Sequence, residues 1–541
     1  MRRTVKVALL QLQAFGLEEA RESLRHTLAK IEEAGALRPD LVVLPEVTYP
    51  AYFLGSPDRY PNAEDPSPQE ALAAFSRAAA GQRVHLAAGL ALEAPGGGLT
   101  NSAVLIRPDG GLLGRYDKCL LWDFDRHWFV PGARYPVFET ELGRLGLLIC
   151  ADGRLPEVAR SLAVGGAQML VDLTAWVSWG RQPAELTNPQ REYMMAVRAL
   201  ENGVWVVAAS KFGLEAGSIV YCGRSCVIDP QGRVVATASP DREEILTYEL
   251  DLEGDAQPPV ERRPELYAEL TTPTAELPVL PLLDEPAALR AHSQRMAAVS
   301  LGGCASEDDL LARITRFVRT LRRQDAELMV LSEPSVGGRL AVATQRLRDA
   351  LATLSRKEGG LLAVTLREET KQGAYKTGYL WIGGRTLLAH RQTHLSPAER
   401  ELGLLPGDVA CPVVETAMGR VGLLLGAEGL VPEMARCLML KGAEILLWPA
   451  GEPGFEPLSV ARCRADENRL FVVTATAPAP QGGAYVIGPG GQVLASALEG
   501  VEMATSAQVN LALARWKDMA PGTNVVLSRQ PETYGTLVAA P

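Results

Sequence analysis

The stretch Gly143–Asp172, GRLGLLICADGRLPEVARSLAVGGAQMLVD, aligns without gaps on Gly419–Trp448, GRVGLLLGAEGLVPEMARCLMLKGAEILLW, with fifteen of thirty positions identical at an offset of 419 − 143 = 276. Internal repetition of this length decides the architecture before any single element is read. Further pieces recur in the same order. Leu44-Pro45-Glu46 matches Leu331-Ser332-Glu333, Arg198-Ala199-Leu200-Glu201-Asn202 matches Arg464-Ala465-Asp466-Glu467-Asn468, and Arg263-Pro264-Glu265-Leu266-Tyr267 matches Gln530-Pro531-Glu532-Thr533-Tyr534. The offsets drift, 333 − 46 = 287 and 464 − 198 = 266, as loop insertions and deletions between two copies of one domain would make them. The sequence therefore divides into a first domain over 1–272, a Pro-rich linker over 273–289 that lacks helical or strand periodicity, and a second domain over 290–541.

Within the first copy, apolar runs at Val5–Leu10, Leu41–Leu44, Val84–Leu90, Ala103–Ile106, Leu145–Ile149, Met169–Val171 and Val204–Ala208 alternate with helical patterns at Glu18–Glu33 and Pro68–Ala80. That alternation reads as a layered α/β fold, and the turn Asp229-Pro230-Gln231-Gly232 adds late antiparallel strands. With 541 residues, 47% hydrophobic and 22% charged, both halves can bury a core.

Composition removes several function classes. The formal net charge of −10, with no block of Lys or Arg, offers no footprint for nucleic acid. Met1-Arg2-Arg3 before Val5–Leu10 resembles the start of a signal peptide, but Gln11, Gln13 and Glu18-Glu19 break the pattern, and the segment reads as a first core strand. No apolar run reaches the roughly 18 residues of a membrane span. Eight irregularly spaced cysteines fit a reducing, cytoplasmic setting rather than a disulfide framework, and Cys222 and Cys226 read as buried thiols because no ligand spacing completes a metal site.

Three polar residues stand where apolar strands end, the usual place for chemistry in layered α/β folds. Glu46 follows Leu41-Val42-Val43-Leu44-Pro45, Lys118 follows Leu113-Gly114-Arg115-Tyr116-Asp117, and Cys150 follows Leu145-Gly146-Leu147-Leu148-Ile149. Taken singly, each has an ordinary structural explanation. The turn Cys150-Ala151-Asp152-Gly153-Arg154-Leu155-Pro156-Glu157 shifts the balance, since a sharp strand-to-helix turn presents a nucleophile beside backbone N–H groups. A helix beginning near Pro156 and the Lys118 ammonium are expected to favour the thiolate.

The set strand-Pro-Glu, Arg-Tyr-Asp-Lys and Cys-x-Asp-x-Arg-x-Pro-Glu resembles the Glu-Lys-Cys triad of the nitrilase superfamily of carbon–nitrogen hydrolases, and the resemblance covers essentially all of each copy. It implies two tandem αββα four-layer sandwich domains, with Glu46 as general base, Lys118 and the Ala151 N–H stabilising the oxyanion, and Cys150 as nucleophile. It implies a thioester intermediate and requires no cofactor and no metal. Many members carry a second glutamate seven residues before a Pro-Gly glycine, Gly132 here; Asp125 stands at that place, one methylene shorter, positioned to hold Lys118 or steer the substrate.

The second copy places Glu333, Gln392 and Gly426 at the triad positions, with Leu430 matching Arg154, so it reads as a degenerate domain lacking the catalytic Cys and Lys. Cys437 and Cys463 fall in helical patterns and read as structural thiols. Because the family commonly pairs two sandwiches, internal pairing of the two domains is expected, with further homo-oligomerisation left open.

Tyr49, Tyr52, Trp122 and Trp176 flank the three residues and are the candidates to line a pocket for a small acyl group. Ala151-Asp152 after the nucleophile resembles amidase-like members rather than the Cys-Trp-Glu of nitrile-cleaving ones, which favours a small amide or N-carbamoyl substrate over a nitrile. A non-catalytic scaffold or ligand-binding protein, with Cys150 an inert buried thiol, is the competing reading.

Overall fold

A computed structural model of the chain describes residues 4–55, 60, 64–180, 182–252, 260–283, 293–451 and 456–540. It separates into two compact units, the first comprising Met1–Pro259 with Ala520–Thr523, the second Val260–Met519 with Asn524–Pro541.

The first unit is built on two six-stranded sheets. Its strands are β1 (Thr4–Gln11), β2 (Leu41–Val43), β3 (His85–Glu93), β4 (Leu99–Ile106), β5 (Leu112–Asp117), β6 (Val137–Thr140), β7 (Gly143–Ile149), β8 (Met169–Thr174), β9 (Trp205–Ser210), β10 (Phe212–Glu215), β11 (Ile219–Cys222), β12 (Cys226–Ile228), β13 (Val234–Thr237) and β14 (Glu244–Asp251). One sheet runs β14-β1-β2-β3-β4-β5 and the other β13-β12-β9-β8-β7-β6; β10 and β11 form a separate hairpin. In both sheets the middle strands are parallel, β1-β2-β3 and β7-β8-β9. Burial on both faces explains why these strands read as continuous apolar runs rather than alternating ones. Val5, Val7, Leu9, Leu41, Val43 and Ala87 of the first sheet share one core with Leu145, Leu147, Ile149, Met169, Val171 and Val207 of the second, so the sheets pack face to face.

Helices cover the outer faces. α1 (Ala20–Gly35) presents Ala20, Leu24, Thr27, Ile31 and Ala34, and α2 (Pro68–Gln82) presents Ala71, Phe75 and Ala79, each at helical spacing, to the outer face of the first sheet. α2 starts on a capping box: Ser67 Oγ accepts from the Glu70 N–H at 3.2 Å, and Glu70 Oε2 accepts from the Ser67 N–H at 2.8 Å. α3 (Pro156–Val164) and α4 (Met195–Asn202) lie on the second sheet against β7 and β9. The result is the four-layer αββα sandwich expected from the sequence.

The second unit repeats the plan. One sheet joins Arg385–Arg391, Ala374–Ile382, Leu361–Glu369, Ala326–Leu331, Ser293–Ser300 and Met503–Asn510; the other joins Val414–Thr416, Gly419–Leu423, Ile445–Gly451, Phe471–Thr476, Ala484–Ile487 and Val493–Ser496. Helices Glu307–Arg322 and Gln345–Glu358 bury Leu310, Ile314, Val318, Leu347 and Leu351 on the first of these sheets. In the stretch read as an extended linker, Thr274–Glu276 and Leu280–Leu283 coil into short helical turns. Leu277 and Val279 are buried there, and the Val279 N–H donates to Leu440 O at 3.1 Å. Residues 284–289 of that stretch, and Met1-Arg2-Arg3, lie outside the described residues. Among the described residues no helix is long and apolar enough to cross a membrane, and all eight cysteines are free.

Candidate active site

Glu46, Lys118 and Cys150 converge from three strand ends. Glu46 stands three residues beyond β2 in a turn that lies flat on β3: the Thr48 N–H donates to Gly89 O at 2.9 Å, and a Cβ at Gly89 would run into Pro45 O and Val47 N. Glycine at 89 is what permits that approach. Lys118 directly follows β5; its N–H donates to Asn101 O, and its carbonyl accepts from the Gly132 N–H, both at 2.8 Å. Cys150 directly follows β7 with φ +45°, the left-handed region that few non-glycine residues occupy without a structural reason. It opens a 3₁₀ turn, Cys150–Arg154, that runs into α3 with Pro156 at the first helical position.

Asp152 ties the last two segments together. Its buried carboxylate accepts from the Leu120 N–H at 2.8 Å, the Cys119 N–H at 3.2 Å, the Ile149 N–H at 3.0 Å and the Tyr116 hydroxyl at 2.7 Å. Burial pushes this carboxyl up to about 6 even against those four donors. The Asp of the Cys-x-Asp motif thus clamps the nucleophile turn to the lysine loop. The motif arginine stacks its guanidinium on Trp122, 4.4 Å from Arg154 Cζ to the ring centre. Arg198 supports the turn from below, donating to Gly153 O at 3.0 Å and Arg154 O at 3.2 Å.

The charges are arranged asymmetrically. Lys118 Nζ donates to Glu46 Oε1 at 2.7 Å and Asp125 Oδ2 at 2.6 Å, all three side chains fully buried. Asn101 Nδ2 also donates to Glu46 Oε1, at 2.7 Å. Glu46 Oε2 is buried and has no hydrogen-bond partner among the described residues. One carboxylate oxygen is fixed and the other is open. Burial alone would lower the Lys118 ammonium, but Asp125 and Glu46 outweigh it and hold it well above its usual range, so the lysine stays charged.

The expected bias toward thiolate is not found. Burial, then the Glu46 carboxylate, push the Cys150 thiol well above its usual range, and Lys118 only partly offsets them. The physical reason is first the loss of water around the thiol and then the negative Glu46 carboxylate facing it. The Cys150 thiol is thus held toward its protonated form.

The aromatic candidates separate. Tyr52 is buried, with Lys118 Nζ 5.7 Å from its ring centre and Phe124 and Tyr221 packed edge-on at 5.6 and 6.3 Å. The Trp122 N–H donates to Asp125 Oδ2 at 3.0 Å. Trp176 is fully buried beyond β8, with indole Nε1 lacking a partner among the described residues. Tyr49 is a correction: its ring belongs to the core between α2 and the first sheet, and its hydroxyl donates to Pro66 O, because the turn after Glu46 alternates its side chains between site and core. Asn101, Phe124, Asp172, Gln190 and Tyr221 were not selected from the sequence. Nor was Thr523, a buried residue of the short segment belonging to the first unit, whose hydroxyl accepts from the Asp123 N–H at 2.8 Å and donates to Leu121 O at 3.2 Å.

In the second unit Gly426 keeps the backbone conformation of Cys150, φ +44°, and Gln392 stands at the lysine position, its N–H on Lys376 O at 2.8 Å. An ammonium nonetheless stands in this site, supplied by Lys376, which was not selected from the sequence. Lys376 Nζ donates to Glu333 Oε1 and Oε2 at 2.7 and 2.9 Å and to Glu399 Oε1 at 2.6 Å. A Cβ on Gly426 would meet Glu399 Oε1, with Lys376 Nζ at 2.9 Å and Gln392 Nε2 at 3.1 Å.

The carbon-nitrogen hydrolase family profile matches residues 6–257 and again 288–517. The chain belongs to that family. The second match shows that the family's domain occurs twice in this chain. A probable nitrilase of Schizosaccharomyces pombe is 35% identical over 184 residues, covering 32% of this chain and 63% of that protein, just under two thirds of its length. A nitrilase of Pyrococcus abyssi is 32% identical over 46% of this chain and 90% of its own. A human omega-amidase is 31% identical over 49% of this chain and 96% of its own. Among solved structures, an amidase from Nesterenkonia sp. aligns at 26% identity over 46% of this chain and 92% of that one, TM-score 0.41. As a member, this chain is a carbon-nitrogen hydrolase, and its relatives include proteins named nitrilase and amidase.

Proposed function

We propose that the first unit hydrolyses a small amide or N-carbamoyl compound through a thioester on Cys150. The observation that carries this reading is the open Glu46 Oε2 in a site where Glu46, Lys118 and Cys150 converge. Glu46 takes the thiol proton as sulfur attacks the carbonyl carbon. The oxyanion forms against the Lys118 ammonium and the Ala151 N–H, donors already oriented before reaction. Glu46 then delivers the proton to the departing nitrogen, the carbon–nitrogen bond breaks, and ammonia or an amine leaves. Water, deprotonated by Glu46, attacks the thioester; the carboxylic acid departs and the thiol regains its proton. Asp125 and Asn101 keep Lys118 and Glu46 in place through this cycle. Tyr52, Trp122 and Trp176 are the lining candidates, and a burial of this extent suits a compact acyl group.

An ammonia-release screen over amides, carbamoyl compounds and nitriles tests the reading, with Cys150→Ala as the blank. Turnover of amides or carbamoyl compounds that vanishes in the blank supports it. Turnover of nitriles alone would replace the substrate class while keeping the triad, and turnover in the blank would remove the triad.

A further inference from the structure

The peptide of Cys150 is held on both sides by side chains outside the triad. Its N–H donates to Asp172 Oδ1 at 2.9 Å, and its carbonyl accepts from Gln190 Nε2 at 2.5 Å. Asp172 lies on β8 beside β7, where Leu148 pairs with Asp172 and Ile149 with Leu173, so the strand register brings the carboxyl to the nucleophile turn. Gln190 opens a single π turn, Gln190–Met194, ahead of α4, and such turns recur at functional sites. Both side chains are buried, Asp172 at 0% and Gln190 at 1% exposure. The second unit pins the matching residue from the same place: 172 + 276 = 448, and Trp448 Nε1 donates to Gly426 O at 3.0 Å. There glycine adopts the left-handed angle without strain, and the partner is an indole. In the first unit a cysteine must be kept at φ +45°, a conformation that a non-glycine residue holds only where the surroundings enforce it.

We propose that Asp172 and Gln190 are positioning residues that grip the Cys150 peptide from its two sides, holding the sulfur toward Glu46 and leaving the next amide, Ala151 N–H, as the backbone donor for the oxyanion. This rests on the triad reading above. Asp172 serves as an acceptor. Burial holds its carboxyl well above the usual carboxylate range, the Cys150 N–H opposing and Glu46 and Asp152 adding to the rise. Its Oδ2 is buried and has no partner among the described residues. The ionisable groups that bear on the Cys150 thiol are Glu46, Lys118, Asp172, Tyr52 and Tyr221.

The test is the iodoacetamide alkylation rate of Cys150 against pH, read by peptide mass spectrometry on the full-length chain, with circular dichroism confirming each variant is folded. Asp172→Ala and Gln190→Ala should each slow alkylation and amide turnover about tenfold, the worth of one lost buried hydrogen bond. Asp172→Asn, which keeps an acceptor and adds no charge, should recover most of that loss and leave the pH midpoint where the parent has it. Alkylation of Asp172→Ala at the parent rate, an Asn variant as slow as the Ala one, or a downward shift of the midpoint in Asp172→Asn would each overturn the proposal. If Asp172→Ala is unfolded, Gln190→Ala and the Asp172→Asn midpoint decide it. A parent Cys150 that resists alkylation overturns the triad reading instead, so the two failures are told apart.

Discussion

Lys376 occupies in the second unit the strand position that Asn101 holds in the first: each gives its carbonyl, at 2.8 Å, to the N–H of the residue at the lysine position, Gln392 and Lys118 respectively. Amide and ammonium have exchanged places across neighbouring strands. The carboxylate-lysine-carboxylate pattern is present in both units while the open carboxylate oxygen is not, since both oxygens of Glu333 bind Lys376. Lys376→Met would leave the partly buried Glu333 and the buried Glu399 carboxylates facing each other without a cation. A loss of about 3–5 kcal/mol is expected, measured by urea unfolding of the second unit. Restoring a thiol by Gly426→Cys in a Cys150→Ala background should give no ammonia release, because the base there is fully engaged; measurable release would contradict this.

In the first unit the same exchange predicts what Asn101 does. Asn101→Leu removes one of two donors on Glu46 Oε1 and should lower kcat about tenfold with little change in KM. Glu46→Gln should cost at least about a hundredfold, the low end for a lost general base. Equal losses in the two variants would mean that Glu46 matters only for its shape.

The loop that carries Asp125 gives a third prediction. Thr523 bonds Asp123 N–H and Leu121 O at once, so Thr523→Val should loosen the loop and lower turnover several-fold, and Thr523→Ser should recover it. A valine variant with parent turnover would reduce Thr523 to packing.

The pH dependence of stability in the second unit should follow His394. Its Nε2 lies 2.7 Å from the Tyr267 hydroxyl and its Nδ1 2.8 Å from Thr393 Oγ1, and burial holds the imidazole down to about 4 against its usual 6.5. Between those values the unfolded chain takes a proton that the folded one refuses. Stability is therefore intact above about pH 6.5 and falls as pH drops toward 4, by up to about 3 kcal/mol. Urea midpoints from pH 7.5 to 4.5 check this, and His394→Asn should flatten the slope.

Much of this was legible in the sequence because duplication shows a pattern twice. The αββα layering follows from apolar runs whose burial on both faces leaves no alternation to misread. Glu46, Lys118 and Cys150 could be found because each ends a strand. Asn101 and Asp172 lie inside strands and Gln190 in a helical turn, where a polar residue carries no periodic signal and its partner stands 55, 22 or 40 positions away. Lys376 escaped notice because position-by-position comparison registers Gln392 as a loss and cannot see a compensating charge on the next strand. The thiolate expectation failed for a related reason: the sequence shows that a lysine is near, but not that the thiol is shielded from water beside the Glu46 carboxylate.

The central claim is that Cys150, driven by Glu46, forms the acyl intermediate while the second unit forms none. Intact-protein and peptide mass spectrometry after acid quench during amide turnover tests it most directly. One acyl group per chain is expected, on the peptide containing Cys150 and absent from Cys150→Ala. An adduct on Cys437, Cys463 or any residue of the second unit, or continued hydrolysis by Cys150→Ala, would contradict it.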